Sequence, residues 1–391
     1  MNLDGGGSGG TTIQPPEPCP PSDPNVDDDG DGFTDAQGDC RDCDNMTNPG
    51  ALDYPQNGID EDCNGVADDE PHNCDNGLPI DGSNADAVKS IDLCRTQQGQ
   101  SWGVMSAQWT FPDGALGSNG SSGNPFGGGT CGAVGDPPNA QSKGLLPDFG
   151  PNVKPRAGGS MLSLSSGVAR AGATMAQPPA TGSSPGGADM CTAGFAAFGF
   201  PKDSPSCKDP FGNPLQTAND KNANDAIALE IQVKVPTNSQ SCGFDFDYYT
   251  YEWPGFVCTQ YNDFFVALVA SQHPSTPADL NVSFDSQGNP VSVNNSFVEV
   301  CDPTVGATNP GGKNFPCTLG TAELQGTGFE PSAATSWLHT QFPVVPGETI
   351  KVRFAVWDMG DHILDTTVLI DNFNCGPTGG DEPPTTIPIP K

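Results

Sequence analysis

The chain has 391 residues, with apolar residues at 34% and 50 Gly and 40 Pro, so one sizeable core with long loops is the most it can build. Its 48 Asp and Glu against 15 Lys and Arg give a formal charge of −33, which excludes nucleic acid and anionic membranes as partners and favours divalent cations. Fourteen cysteines with one Cys-x-x-Cys pair, Cys40 and Cys43, exclude zinc ribbons and read as disulfides formed in an oxidising compartment.

In chain order, residues 1–24 are a Gly/Ser-rich then Pro-rich arm, and residues 25–71 are dense in Asp, Asn and Gly. Residues 72–100 carry a short helical pattern in Ala85, Val88, Ile91 and Leu93. From Trp102 to Asn374 short runs of β-branched and aromatic residues alternate with Gly, Pro, Asn and Ser clusters, as strands and turns do. Within it, 112–160 and 171–190 read as long surface loops, and 376–391 is a Pro-rich tail whose TTIPIP echoes TTIQPP near the start. No stretch reaches membrane-spanning length, and no basic start with an apolar run follows Met1, so a signal peptide is expected to have been removed. The local pairs Cys242 with Cys258 and Cys301 with Cys317 are plausible disulfides, although spacing alone does not fix connectivity.

One motif repeats within 25–71. The first copy runs Asp27, Asp29, Asp31, Gly32, Phe33, Asp35, and the second Asp60, Asp62, Asn64, Gly65, Val66, Asp68. Side-chain oxygens at alternate positions converge on one ion when the chain turns sharply, which Gly at the sixth position permits; a backbone carbonyl (Phe33, Val66) and a further acid follow. The bidentate Glu of an EF-hand is absent, Gly38 and Pro71 standing there, so closing ligands are expected from Asp39, Asp42 or Asp44, or from the other copy. The all-oxygen set predicts Ca2+ in preference to a softer metal; a solvated acidic linker is the plainer alternative.

The stretch from DDDGDG to NGIDEDCNGVADDE, with GDC and NPGA between, resembles the MopE-type metal-binding repeat of secreted bacterial proteins. That resemblance implies a Cys40–Cys63 bridge clamping the loop, and the first loop is also similar to thrombospondin type 3 repeats, which calcium orders. A second resemblance, to the choice-of-anchor L family of bacterial extracellular domains, rests on FDFDYYTYEWPGFVCTQYNDFFVALV and VPGETIKVRFAVWDMGDHILDTTVLIDNF, with LSLSSGVA and DAIALEIQVKVP as early strands. It implies a sandwich domain with long loops over 72–375 and a bacterial cell-surface location.

The residues agree with an all-β fold, a jelly-roll-like β-sandwich behind a small irregular calcium-loop module. Phe244, Phe246 and Tyr248 alternate with Asp245 and Asp247, which predicts one buried and one wet face; Val352, Phe354 and Val356 alternate likewise. Glu252, Asn262, Asp263, Asp358, Asp361, Asp365 and Asp371 gather where strands meet loops. Glu252, Asp263, Asp358, Asp361 and Asp365 are candidate ligands of a further cation, or ordinary turn residues. Four histidines, no phosphate loop and no HExxH argue against an enzyme. His362 beside three acids and the pair Glu252 with Asp263 are the catalytic constellations weighed against that reading. The expected role is a secreted calcium-binding structural or adhesive surface protein, a fibre subunit among the options. Self-association is expected through the terminal arms at Thr11–Ile13 and Thr385–Ile387, or contact with other surface proteins. The alternative is a calcium-dependent module in which Trp253, Phe256 and Tyr261 stack on glycans, with Trp102, Trp109 and Trp337 in the core.

Overall fold

A computed structural model describes residues 18–112, 114, 142–171, 200–218, 223–306, 313–359 and 364–390. Thr11–Ile13, Cys131, Cys191, Asp361, His362 and most of the 112–160 and 171–190 insertions lie outside them. The strands are β1 (Gly103–Thr110), β2 (Lys143–Leu146), β3 (Met161–Ser165), β4 (Ala223–Lys234), β5 (Ser241–Thr250), β6 (Phe264–Ala270), β7 (Ala333–Ala334), β8 (Leu338–Pro343), β9 (Thr349–Met359), β10 (Thr366–Gly376) and β11 (Thr385–Pro388). They form two antiparallel sheets, β1-β4-β9-β6 and β11-β8-β5-β10-β3-β2, with β7 paired to β5. The molecule is an all-β sandwich with almost no helix.

Between the sheets lies a core built from Ile227, Leu229, Ile231, Phe244, Phe246, Tyr248, Val352, Phe354, Val356, Val368 and Ile370. Alternation along each strand sends the neighbouring residues outward, but those faces are not wet. Phe149, Val153, Tyr249, Phe329 and Leu369 form a second apolar layer, and Phe200, Phe264, Ala355 and Trp357 a third. The expectation of a solvated face on β5 is therefore corrected: Asp245 and Asp247 are 2% and 0% exposed. They are tolerated because they are paired. His339 Nδ1 lies 2.7 Å from Asp245 Oδ1, while Tyr249 Oη and Thr335 Oγ1 donate to Asp247. The 112–160 segment is likewise more than a surface loop, since it supplies β2 and the buried Phe149 and Val153.

The helical pattern becomes α1 (Asn84–Lys89), started by a Ser83–Asp86 capping box, with Ala87 and Val88 inward; Ala85, expected to face the core, is exposed. Among the described residues six disulfides form: Cys19–Cys43, Cys40–Cys63, Cys74–Cys94, Cys207–Cys258, Cys242–Cys375 and Cys301–Cys317. The Cys242–Cys258 pair is thus overturned: Cys375 lies opposite Cys242 in the β5/β10 register, and Cys258 reaches Cys207 instead. The tail also joins the sandwich. β11 pairs with β8, and Thr386 Oγ1 meets Thr340 Oγ1 at 2.9 Å.

Residues 25–71 contain no strand; Asx-type turns and two disulfides shape them, and they dock on the β4–β5 turn. Asn238 is 3% exposed and donates to Met46 O and Leu52 O, while its Oδ1 accepts from Leu52 N. Asn238→Ala leaves these buried groups unpaired, at about 1–3 kcal/mol. Amide exchange at Leu52 should then accelerate at least tenfold, with β9 amides unchanged; equal acceleration in both would mean the module does not undock by itself.

Candidate metal centre

The two Asp/Gly copies adopt the same turns. Asp27 Oδ2 accepts from Gly32 N at 3.0 Å and Asp60 Oδ2 from Gly65 N at 2.9 Å. Asp31 Oδ1 accepts from Phe33 N at 2.8 Å and Asn64 Oδ1 from Val66 N at 2.9 Å. Gly32 and Gly65 sit at φ of 100° and 97°, the left-handed turn for which glycine stands at the sixth position.

Their surroundings differ. In the first copy Asp27, Asp29 and Asp42 bring carboxylate oxygens within 4.8 Å of one another, and so do Asp29, Asp31 and Asp39. Asp29 belongs to both groups. Asp39 and Asp42 are 4% and 3% exposed, yet each spends one oxygen on backbone N–H groups, of Arg41 and Asp28. Their Oδ2 atoms, and that of Asp29, are buried without a hydrogen-bond partner. Burial pushes the Asp39 carboxyl up to about 6, with the Asp31, Asp29 and Asp42 charges adding to it. Burial likewise raises Asp29 and Asp31. Such a set is destabilised by its own charge and suited to a hard cation. Phe33 seats the loop: it is 9% exposed and its ring lies against Gly50, where an added Cβ would come within 3.2 Å. Asn48, which sequence reading missed, donates to Asp31 Oδ2 at 2.7 Å and accepts from Thr237 Oγ1 at 2.7 Å.

In the second copy the protein supplies its own cation. Arg95 donates to Asp62 Oδ2 at 2.7 Å and to Glu70 Oε1 at 3.1 Å. Asp60, Asp62 and Asp68 form no group like those of the first copy; Asp68 accepts from Asn57 N and Gly58 N, and Val66 is 56% exposed. Asp35 is exposed at the start of a 3-10 turn and lines a cavity of about 560 Å³ between the loops, together with Asp42, Asp60 and Arg41.

In the sandwich, Glu252, Asp263, Asp358 and Asp365 are all buried, and among the described residues they form no three-acid group. Asp263 acts as a staple. Its Oδ1 accepts from Met359 N, its Oδ2 from Thr366 Oγ1 and its carbonyl from Tyr248 Oη. Asn262 accepts from Asn294 Nδ2, and Asp365 packs against Gly167. Trp253 is 3% exposed and cannot serve as the sugar-stacking face expected of it; Phe256 and Tyr261 are half-buried and pack edge-to-face at 5.5 Å.

A disulfide-linked β-sandwich carrying a loop of clustered carboxylates is the class of protein this geometry defines. Comparison with known families adds that residues 201–374, less than half of the chain, match the Choice-of-anchor L domain. The match starts further along than residue 72, from which the domain was expected to run. Neither the curated proteins nor the solved structures offer a match to the chain. With the six disulfides, the domain match points to an extracellular or cell-surface protein, and among the described residues no helix is long and apolar enough to cross a membrane.

Proposed function

We propose that the protein is a calcium-binding structural component of a cell surface, with the first Asp/Gly loop as its ion site. The observation that carries this reading is the convergence of Asp27, Asp29, Asp31, Asp39 and Asp42, with three buried carboxylate oxygens lacking any hydrogen-bond partner. Calcium takes about six to eight oxygens in flexible geometry, and the two groups offer two adjoining positions bridged by Asp29. The MopE-like spacing of 25–71 agrees with this reading. A structural or adhesive role fits better than catalysis: both oxygens of Asp263 are committed to hydrogen bonds, so Glu252 and Asp263 make a poor hydrolytic pair. The burial of Trp253 weighs against the glycan-stacking alternative.

Titration calorimetry of the full chain tests the site. Asp29→Asn should weaken calcium binding in the first loop by at least a hundredfold, because it removes the ligand common to both positions. Asp62→Asn should change that binding little, since Arg95 already engages Asp62. Equal calcium isotherms for wild type and Asp29→Asn would refute the assignment.

A further inference from the structure

Single exposed apolar side chains are ordinary on a protein surface, but Phe211 stands apart by degree. It is 90% exposed, while the next most exposed large apolar side chain among the described residues, Ile387, is 57% exposed.

Phe211 tips a short hairpin whose two sides meet at Lys208 and Pro214. The turn is closed by Asp209 N donating to Asn213 O at 2.8 Å and Gly212 N to Asp209 O at 2.9 Å. Asp209 Oδ1 also accepts from Phe211 N and Asn213 N, and its Oδ2 from Asn213 Nδ2, each at 2.8 Å. At the base, Leu215 N donates to Cys207 O, and the Cys207–Cys258 bridge ties the hairpin to the segment between β5 and β6. The ring is therefore held out on a fixed support, and little conformational freedom remains to be lost when a partner buries it.

The same chain carries a recess that suits such a ring. Leu268 and Ala270 of β6 stand opposite Arg353 and Lys351 of β9, and Leu280 completes the lining. Leu268 and Leu280 belong to the third apolar layer, so the floor is hydrophobic. The cavity measures about 120 Å³, and cavities of roughly 150 Å³ take a benzene ring.

Charge favours the same pairing. Lys351 and Arg353 both engage Glu230, which leaves one positive charge over at the recess. With 15 Lys and Arg against 48 Asp and Glu, positive surface is scarce on this chain. The recess thus offers a second copy an approach that the overall charge of −33 otherwise opposes. Asp209 supplies the matching acid two residues from Phe211, with Lys208 set further back where the hairpin sides meet. A ring seated beside Lys351 and Arg353 also gains from the attraction of cations to its π face.

We infer that Phe211 of one copy seats in the Leu268–Ala270–Leu280 recess of a second copy, joining the chains head to tail. Knob and recess are different surfaces of one chain, so the contact repeats from copy to copy and builds an open series or a ring.

Sedimentation velocity of the full chain in calcium, over a concentration series reaching the millimolar range, reads the contact. Wild type should grow into a series of larger species as concentration rises. Phe211→Ala removes the knob, and Ala270→Trp fills the recess from an exposed position; each should weaken association by at least about tenfold. An equimolar mixture of these two variants should form dimers and nothing larger, because one intact ring then meets one intact recess. If Ala270→Trp does not fold, the smaller Ala270→Leu takes its place. Asp29→Asn should associate as wild type does, since neither surface holds a residue of the first loop. A failed ion site would show instead as unchanged calcium isotherms in that variant. Wild type monomeric throughout, undiminished association in either surface variant, a mixture that does not dimerise, or lost association in Asp29→Asn overturns the contact.

Discussion

Replacing Cys242 and Cys375 together by alanine is expected to lower stability by about 5 kcal/mol, more than the loss of any other bridge described. The two residues are 133 apart in sequence, against 16 for Cys301 and Cys317, and a cross-link restricts the unfolded chain more the longer the loop it closes. Cys242 is also 1% exposed and belongs to the inter-sheet core, so its truncation leaves space among Phe342, Phe244 and Val344. Removing Cys301–Cys317 should cost about 3 kcal/mol by the same loop-closure relation. Urea unfolding of the two double variants in excess calcium provides the comparison. If the Cys301→Ala, Cys317→Ala variant proves the more damaging, packing around that bridge rather than chain entropy governs the difference.

In chelator, the protein should be more stable at pH 5 than at pH 8, with a melting temperature higher by roughly 5–10 °C. Four buried or half-buried acids set this direction. Burial pushes Asp39 up to about 6 and Glu61 and Glu70 up to about 7, while burial together with the Asp92 charge holds Asp371 up to about 8. A carboxyl raised in the folded state binds its proton more tightly there than in the unfolded chain. Folding is therefore favoured while that proton is held, and the advantage is lost as pH climbs from the ordinary value near 4 to about 8. The carboxylates held low, such as Asp86 and Asp302, are lost only when pH falls below the ordinary range, outside this window. Calcium bound in the first loop would compete with the proton on Asp39, so its stabilising effect should be larger at pH 8 than at pH 5. Scanning calorimetry at both pH values, with and without calcium, measures each part. A metal-free melting temperature that rises from pH 5 to pH 8 would contradict it.

Much of the sandwich is legible in the sequence, because Phe244, Phe246 and Tyr248, or Val352, Phe354 and Val356, have the period of a strand with one apolar face. Burial of the other face is not. Asp245 and Asp247 are polar letters, and the packing of Arg156, Tyr249, Thr335, His339 and Asn372 around them makes their burial tolerable. Chain distance concealed the Cys242–Cys375 bridge for a related reason: the cross-strand neighbour is set by register, not proximity in sequence. At the candidate site the repeat itself is readable down to its turn glycines. What separates its two copies is Arg95, which lies outside the motif and reaches Asp62 only in the folded chain.

The attachment of β11 to β8 bears on how such molecules could join one another. An exposed strand edge invites pairing with another chain, and here the edge of β8 is already occupied by residues of the same molecule. The tether from β10 to β11 spans only residues 377–384 and is itself held, since Ser241 Oγ donates to Thr378 O. A strand so tethered has an effective local concentration on the order of millimolar, so a neighbour's strand at micromolar concentration is outcompeted by roughly a thousandfold. Strand exchange at β8 thus requires either very high surface density or removal of the resident segment. Contacts between copies in dilute solution must use other surfaces.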